Sequence, residues 1–125
     1  MNISESLKSC FISAPADENI ESVVALMNEF SIAIVEPNYR SGEKISLQIH
    51  DAIRKADFVF AYIPHISAVM NAAYEIGYAE ALRKPIFLVA NRKIQLPDAM
   101  DRLHRVDADI SELEPISFHL EHFLI

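Results

Sequence analysis

The fold of this chain is decided by residues 56–89, which read ADFVFAYIPHISAVMNAAYEIGYAEALRKPIFLV. The stretch contains two apolar runs, Phe58–Ile63 and residues 86–89, and a proline stands at one end of each. Neither run alternates polar with apolar residues, which predicts two buried parallel strands. Residues 72–82 carry small, aromatic and aliphatic side chains at helical spacing. This pattern predicts the crossover helix of a right-handed βαβ unit.

Strand and helix patterns alternate along the rest of the chain as well. Short apolar runs predict three more strands, at residues 10–13, 32–35 and 105–108. Helical periodicity predicts further helices at residues 20–30, at residues 45–56 and at the end of the chain. In front of the last helix, Ser111 and Glu114 form a capping-box pattern. We therefore expect a single α/β domain of residues 1–125, a three-layer sandwich around a five-stranded parallel sheet.

Composition limits the class of partner. A chain of 125 residues with 51% hydrophobic content can bury the core of one domain. Its net charge of -7 and its lack of a basic stripe argue against a nucleic-acid polymer as partner. No apolar stretch reaches the about 18 residues that a membrane helix requires, so we expect no membrane partner.

Several motif classes are absent from the sequence. The single cysteine, Cys10, lies in an apolar run, which predicts a buried thiol and fits a reducing, cytoplasmic location. With Gly42 and Gly77 as its only glycines, the chain has no glycine-rich phosphate-binding loop, and we expect no cofactor. His119 and His122 have no third ligand nearby in sequence, so we expect no metal site.

Glu75 is the strongest candidate for chemistry. A helix over residues 72–82 places this carboxylate in its first turn, just past the carboxyl edge of the sheet, where open α/β folds bind ligands. The positive end of the helix dipole would keep the group ionised. Such a carboxylate can act as a nucleophile or stabilise an oxocarbenium-like sugar cation. Position alone does not distinguish this role from that of a glutamate that only stabilises the helix.

The central stretch resembles the signature of the nucleoside 2-deoxyribosyltransferase-like family. The matching positions are Ala73, Tyr74, Glu75, Ile76, Gly77, Ala79, Ala81, Lys84 and Pro85. The run Phe11-Ile12-Ser13-Ala14-Pro15 and the step Ala56-Asp57 fit the same family. The resemblance implies a flavodoxin-like sheet with strand order 2-1-3-4-5. It also implies cleavage or transfer of an N-glycosidic bond, in which Glu75 attacks or stabilises C1′ of the sugar.

Two other runs, FISAPADEN and SGEKISLQIHDAIRKAD, resemble TIR domains, in which the substrate is often NAD. We therefore expect a small nucleoside, nucleotide or NAD as partner. The alternative is a non-catalytic TIR-like module that binds a nucleotide or another protein. Related enzymes are commonly homo-oligomers, and residues 118–125 form an apolar terminus. Both features lead us to expect a dimer or a larger homo-oligomer.

The sequence departs from the deoxyribosyltransferase pattern in its second acidic group. The loop of residues 65–71 has no carboxylate, although the family has one there. Where the family has a further aspartate, this chain has Gln48 and Ile49, and Asp51 would serve only if the helix register differs. Without a second carboxylate, a leaving base is harder to protonate. Nicotinamide leaves a pyridinium sugar as a neutral molecule, so the departure favours an NAD-like or otherwise activated substrate.

Other candidate residues lie in loops that we expect at the same edge of the sheet. Ser13 suits a phosphate or ribose hydroxyl, Arg40 a phosphate, and Tyr39 a base. His65 has the chemistry of a proton donor, and Asn71 could bind a ribose hydroxyl. For Ser13 and Asn71, bonding to local backbone is the structural alternative. The full predicted binding set is Ser13, Ala14, Pro15, Asp17, Tyr39, Arg40, Pro64, His65 and Asn71, with Glu75 and Asp51 as catalytic residues.

Overall fold

A computed structural model describes residues 7–39 and 41–125 and shows strands and helices in alternation. The strands are β1 (Ser9–Ser13), β2 (Ala33–Ile34), β3 (Phe58–Ile63), β4 (Ile86–Ala90) and β5 (Arg105–Asp107). The helices are α1 (Glu21–Glu29), α2 (Ile45–Lys55), α3 (Val69–Ala81) and α4 (Leu113–Leu124), with short 3-10 turns at Ile66–Ala68 and Asp98–Met100.

The strands form one parallel sheet in the order β2-β1-β3-β4-β5, which confirms the predicted order. The six residues of β3 are all buried, because this strand lies in the middle of the sheet. Strand order reverses between β1 and β3, which pair with Ser13 opposite Ala61. In open parallel sheets, ligands bind in the crevice at such a switch point, outside the carboxyl ends of the strands.

Helices cover both faces of the sheet and build two apolar cores. On one face, α2 and α3 contribute Ile53 and Ile76. On the other face, α1 and α4 contribute Met27 and Leu120. Strand side chains alternate between the two cores, as the pleat requires: Val59, Ala61 and Ile63 belong to the first, and Phe58, Phe60 and Tyr62 to the second. The predicted three-layer α/β sandwich is confirmed.

Cys10 belongs to the second core and is fully buried, as predicted. Burial raises the pKa of its thiol to about 12, so this side chain packs as a small apolar group and is not a reactive thiolate. No helix within the described ranges is long and apolar enough to cross a membrane.

Helix α3 begins at Val69, earlier than the predicted start at residue 72. The 3-10 turn at Ile66–Ala68 continues directly into the helix, since no proline or glycine interrupts the chain there. Glu75 therefore lies in the second turn of α3, and the prediction of a first-turn carboxylate is wrong. Asn71 lies inside the first turn and is not the N-cap, a position that Ala68 occupies.

The predicted capping box of α4 is also wrong. The N-cap is Glu112, which makes no side-chain capping bond. Oε1 of Glu112 instead accepts a hydrogen bond from the backbone N–H of Asp109 at 2.9 Å, and the carboxylate pairs with Arg92 at 3.2 Å. Pro115 lies in the first turn of α4, where a missing N–H breaks no helical bond.

Candidate active site

A cavity of about 590 Å³ opens at the carboxyl edge of the sheet, beside the ends of β1 and β3. Its volume lies within the range of small-molecule sites. Its walls come from the end of β1 and the following loop, the segment before α2, the first half of α2, and the start of α3. The described lining residues are Phe11, Ile12, Ser13, Ala14, Pro15, Ala16, Pro37, Tyr39, Ile45, Ser46, Ile49, Tyr62, His65, Ser67, Ala68, Asn71, Ala72, Tyr74 and Glu75.

Glu75 is half-buried in the wall of this cavity, and Ser13 holds it there. The hydroxyl of Ser13, at the end of β1, donates a hydrogen bond of 2.5 Å to Oε1 of Glu75. Burial raises the pKa of the Glu75 carboxyl, while the bond from Ser13 acts in the opposite direction, and burial is the larger effect. A desolvated carboxylate fixed by one short bond is oriented and reactive, which suits a nucleophile.

The cavity brings together most of the predicted site. Its described lining includes Glu75 and the predicted binding residues Ser13, Ala14, Pro15, Tyr39, His65 and Asn71. Among the described residues, Asp17, Pro64 and Asp51 were predicted for the site but are not part of that lining. Arg40 lies outside the described residues.

Asp51 projects from the outer surface of α2. Its carboxylate pairs with Lys55 at 2.9 Å and with Arg54 at 3.3 Å, and its side chain is 39% exposed. The bond from Lys55 is the main cause that lowers the pKa of Asp51. Of Gln48 and Ile49, which stand where the resemblance predicts an aspartate, Ile49 lines the cavity, and Gln48 is buried and is not part of the described lining. The described cavity wall therefore contains one carboxylate, that of Glu75.

The helical spacing of Ile45, Ile49 and Ala52 predicts that these side chains share the core face of their helix. In the structure Ile45 is largely exposed, and Ile45 and Ile49 both line the cavity. Their four-residue spacing puts them on one face of α2, together with the core residues Ala52 and Ile53. The sequence signal for this part of the cavity wall was the length of the apolar face of α2, which begins one to two turns before the core residues Ala52 and Ile53.

Two tyrosines of the wall are held by their hydroxyl groups. Tyr62 is almost fully buried, and its hydroxyl accepts a bond from the backbone N–H of Ile110 at 3.1 Å, as expected of a tethered core tyrosine. Tyr74 is more exposed; its ring centroid lies 5.6 Å from that of His50, and its hydroxyl lies 2.8 Å from Nε2 of His50. Tyr78 stacks on the same imidazole, with ring centroids 4.0 Å apart.

His65 stands at the mouth of the cavity, two residues after the end of β3. Its carbonyl accepts a bond from the N–H of Ala68 at 3.0 Å, and its Nδ1 lies 2.6 Å from the hydroxyl of Ser67. Backbone and ring are thus both anchored by the 3-10 turn that follows.

The histidines of the C-terminal region make other contacts. The ring of His119 lies 5.8 Å from that of His104, and Nδ1 of His122 lies 2.8 Å from the carbonyl oxygen of Phe118. Across the part of the chain that the structure describes, no group of three or more histidine, cysteine or acidic side chains could hold a metal ion.

Comparison with solved structures identifies the fold. A CMP N-glycosidase from Clostridium botulinum superposes with a TM-score of 0.71 at 20% identity, covering 94% of this chain and 100% of that one. The chain has the fold of an N-glycosidase. A 2-deoxyribosyltransferase from Bacillus psychrosaccharolyticus has the same fold, with a TM-score of 0.66 and 16% identity over 85% of this chain and 90% of that one.

The TIR domain of a Toll-related receptor from Hydra magnipapillata also shares this fold, with a TM-score of 0.69 and 15% identity over 94% of this chain and 96% of that one. The sequence matches no family model, and it matches no curated protein. These likenesses confirm, at the level of the fold, the resemblance to deoxyribosyltransferases and TIR domains. The chemistry has to be argued from the cavity itself.

Proposed function

We propose that the protein cleaves or transfers the N-glycosidic bond of a nucleoside, nucleotide or NAD-type substrate. The observation that carries this proposal is the Glu75 carboxylate, half-buried in a cavity at the switch point of the sheet and bonded to Ser13 at 2.5 Å. Two enzymes with this fold act on nucleosides or nucleotides according to their names, a CMP N-glycosidase and a 2-deoxyribosyltransferase.

In the proposed reaction, a carboxylate oxygen of Glu75 attacks C1′ of the sugar as the bond from C1′ to the base nitrogen breaks. The same charge would stabilise the sugar cation if bond breaking runs ahead of attack. Water, or a second base, then displaces Glu75 and completes hydrolysis or transfer. Ser13 orients the attacking group, and partial burial of Glu75 makes its negative charge more effective than in water.

The described wall of the cavity offers groups for a flat ring and for a sugar. Tyr39 and Tyr74 offer aromatic faces on which a base can stack. Ser46 and Asn71 offer hydroxyl and amide groups for ribose hydroxyls. The described wall contains no lysine or arginine, and its charged group is Glu75. These groups support a base or pyridinium ring and its sugar as the part of the substrate that lies next to Glu75.

The second candidate is a non-catalytic TIR-like module that binds a nucleotide or a protein partner. The absence of a second carboxylate from the described cavity wall favours it, because a neutral base then lacks an evident acidic partner. In this case Ser13 and Glu75 would only join β1 to α3.

The test is release of free base from the purified protein, followed by chromatography, with NAD, nucleoside monophosphates and 2′-deoxynucleosides as substrates. Glu75→Gln should reduce release at least about a hundredfold. Glu80→Gln is the matched control, because Glu80 belongs to the same helix but pairs with Arg102 outside the cavity. If Glu75→Gln releases base as fast as the wild type, Glu75 is not the nucleophile. No release from any substrate would favour the binding module. Adding a second base distinguishes transfer from hydrolysis.

We also propose that the chain forms a homo-oligomer through the apolar rim of the cavity. In the C-terminal segment 118–125, Leu120 and Leu124 are buried against the core, whereas Phe118 and Ile125 are exposed. Exposed apolar side chains also lie beside the cavity: Ile45 and Tyr74 line it, and Ile66 and Met70 belong to the turn and helix that form its wall. A second copy would cover these side chains. Light scattering should give at least a dimer for the wild type and a monomer for Met70→Glu; a monomeric wild type would contradict the proposal.

A further inference from the structure

The proposed reaction needs a proton donor when the leaving base is neutral. As the glycosidic bond breaks, its electron pair moves to the base nitrogen, and a purine or pyrimidine leaves much faster once that charge is neutralised by a proton. Glu75 cannot supply this proton while its carboxylate attacks C1′. The donor has to be another group in the cavity wall.

A phenol is a much weaker acid than an imidazolium, so a tyrosine hydroxyl is the poorer source of this proton. Tyr62 is less suited still: burial raises the pKa of its hydroxyl, which is tied to the backbone of Ile110. The hydroxyl of Tyr74 lies 2.8 Å from Nε2 of His50, in an exposed contact between α3 and α2. Imidazole is the side chain that ordinarily gains and loses a proton near neutral pH, and the described wall contains one, on His65.

The local backbone fixes how this imidazole is presented. His65 is extended, with φ -152° and ψ 162°, and the 3-10 turn at Ile66–Ala68 follows at once. The N–H of Ala68 closes the turn onto the carbonyl of His65, and the hydroxyl of Ser67 lies 2.6 Å from Nδ1. With Nδ1 occupied by Ser67, Nε2 is the nitrogen left to meet a ligand in the cavity.

We propose that His65 is the general acid for neutral leaving bases and that Ser67 is the residue that positions it. This inference rests on the proposed N-glycosidic chemistry of Glu75. In the imidazolium form, Nδ1–H donates to the hydroxyl of Ser67 and Nε2–H faces the leaving base. The bond from C1′ to nitrogen breaks, the base takes the proton of Nε2, and Glu75 bonds to C1′.

The cycle closes with the same two groups. Neutral His65 removes a proton from the water that attacks C1′, the ester to Glu75 breaks, and the imidazolium is restored. The net reaction adds one water across the glycosidic bond. The histidine and serine thus take over the function of the carboxylate that is missing from the described cavity wall.

A comparison of leaving groups tests this role. Nicotinamide mononucleotide and NAD carry a cationic ring that leaves as a neutral molecule without a proton, whereas cytidine monophosphate and 2′-deoxyadenosine carry neutral bases. With protein in excess over substrate, so that release reports the first step alone, release of neutral bases by His65→Ala should fall at least about a hundredfold relative to release of nicotinamide. Ser67→Ala should shift the same ratio in the same direction by a smaller factor. Added imidazole should restore neutral-base release in His65→Ala, since His65 is exposed at the mouth of the cavity.

Two controls separate this inference from the proposed function. Glu75→Gln should lose release from both kinds of substrate, and His104→Ala should change neither, because His104 lies outside the described cavity wall. An equal fall on both kinds of substrate in His65→Ala would overturn the acid role and leave Glu75 untouched. A wild type that releases nicotinamide alone would overturn it as well. A wild type that releases no base would refute the proposed function itself.

Discussion

Ser13 and Glu75 are 62 positions apart in the sequence, yet the hydroxyl of Ser13 lies 2.5 Å from Oε1 of Glu75. Each residue comes from a different element, one ending β1 and the other on α3 beside β3. The contact exists because β1 and β3 are neighbours in the sheet and α3 follows β3 directly. It places a carboxylate at the strand-order reversal, where a ligand can reach it.

Ser13→Ala should weaken the reaction through Glu75. A hydrogen bond to a charged group is worth about 1.5–3 kcal/mol, so base release should fall about 10- to 100-fold. The bond from Ser13 opposes the rise in the pKa of Glu75, so its loss raises that pKa further. The acidic limb of the pH–rate profile should therefore move to higher pH. Ser13→Thr keeps a hydroxyl and should retain most of the rate and the original limb; a limb unmoved in Ser13→Ala would contradict the assignment.

Glu75→Gln should make the protein more stable at neutral pH, although it removes activity. Burial raises the pKa of Glu75 in the fold above its value in the unfolded chain. The folded state then holds more protons in the interval between the two values, so stability falls as pH rises through it. Glutamine has no such cost and can still accept the bond from Ser13. Thermal unfolding should give a higher Tm for Glu75→Gln than for the wild type. The difference in Tm should be larger at pH 7 than at pH 5. A variant that is less stable at pH 7 than the wild type would contradict this.

Asp57→Ala should destabilise the start of the sheet. Oδ2 of Asp57 accepts bonds from the backbone N–H groups of Lys8 and Ser9 at 2.9 and 3.1 Å, and Ser9 Oγ accepts from the N–H of Asp57. These bonds join the start of β1 to the residue before β3. Leaving the part-buried donors of Ser9 unpaired costs about 1–3 kcal/mol, which urea unfolding would measure. Asp57→Asn keeps an acceptor and should lose less, and Asp98→Ala, on an exposed turn, should lose almost nothing.

His50→Ala should weaken binding more than turnover. The ring of His50 stacks with those of Tyr74 and Tyr78, and its Nε2 contacts the hydroxyl of Tyr74, which lines the cavity. Aromatic pairs of this kind are worth about 0.5–1.5 kcal/mol, so a mobile Tyr74 should raise KM about 2- to 10-fold with kcat little changed. Arg54→Ala is the control, because Arg54 donates to the hydroxyl of Tyr78 and not to Tyr74. A fall in kcat alone would contradict a binding role.

Most of the fold was readable from the sequence because β1 to β4 lie in apolar runs with a proline within three residues of one end, and their alternation with helices leaves few topologies. The start of α3 was not readable from the sequence. Residues 66–68 have the sequence of a loop, but in the structure they form a 3-10 turn that continues into the helix. Glu75 and Ser13 were both identified as site residues. The bond between them was not, because a contact over 62 positions depends on how α3 packs against the end of β1. Ile49 and Asp51 differ by about 200° around a helix, so the side chain that faces the cavity depends on the rotation of α2 against the sheet, which packing decides.

The orientation of α2 about its own axis also leads to a prediction about Asp51. Asp51 was predicted as a second catalytic carboxylate. In the structure, its carboxylate forms ion pairs with Lys55 and Arg54 on the outer surface of α2. Exposed ion pairs contribute little to stability, so Asp51→Asn should leave the fold intact and the rate of base release within about twofold of the wild type. The test is the chromatographic assay, with Glu75→Gln as the inactive reference. A loss in Asp51→Asn as large as that in Glu75→Gln would mean that Asp51 takes part in the reaction, and α2 would then have to rotate when substrate binds.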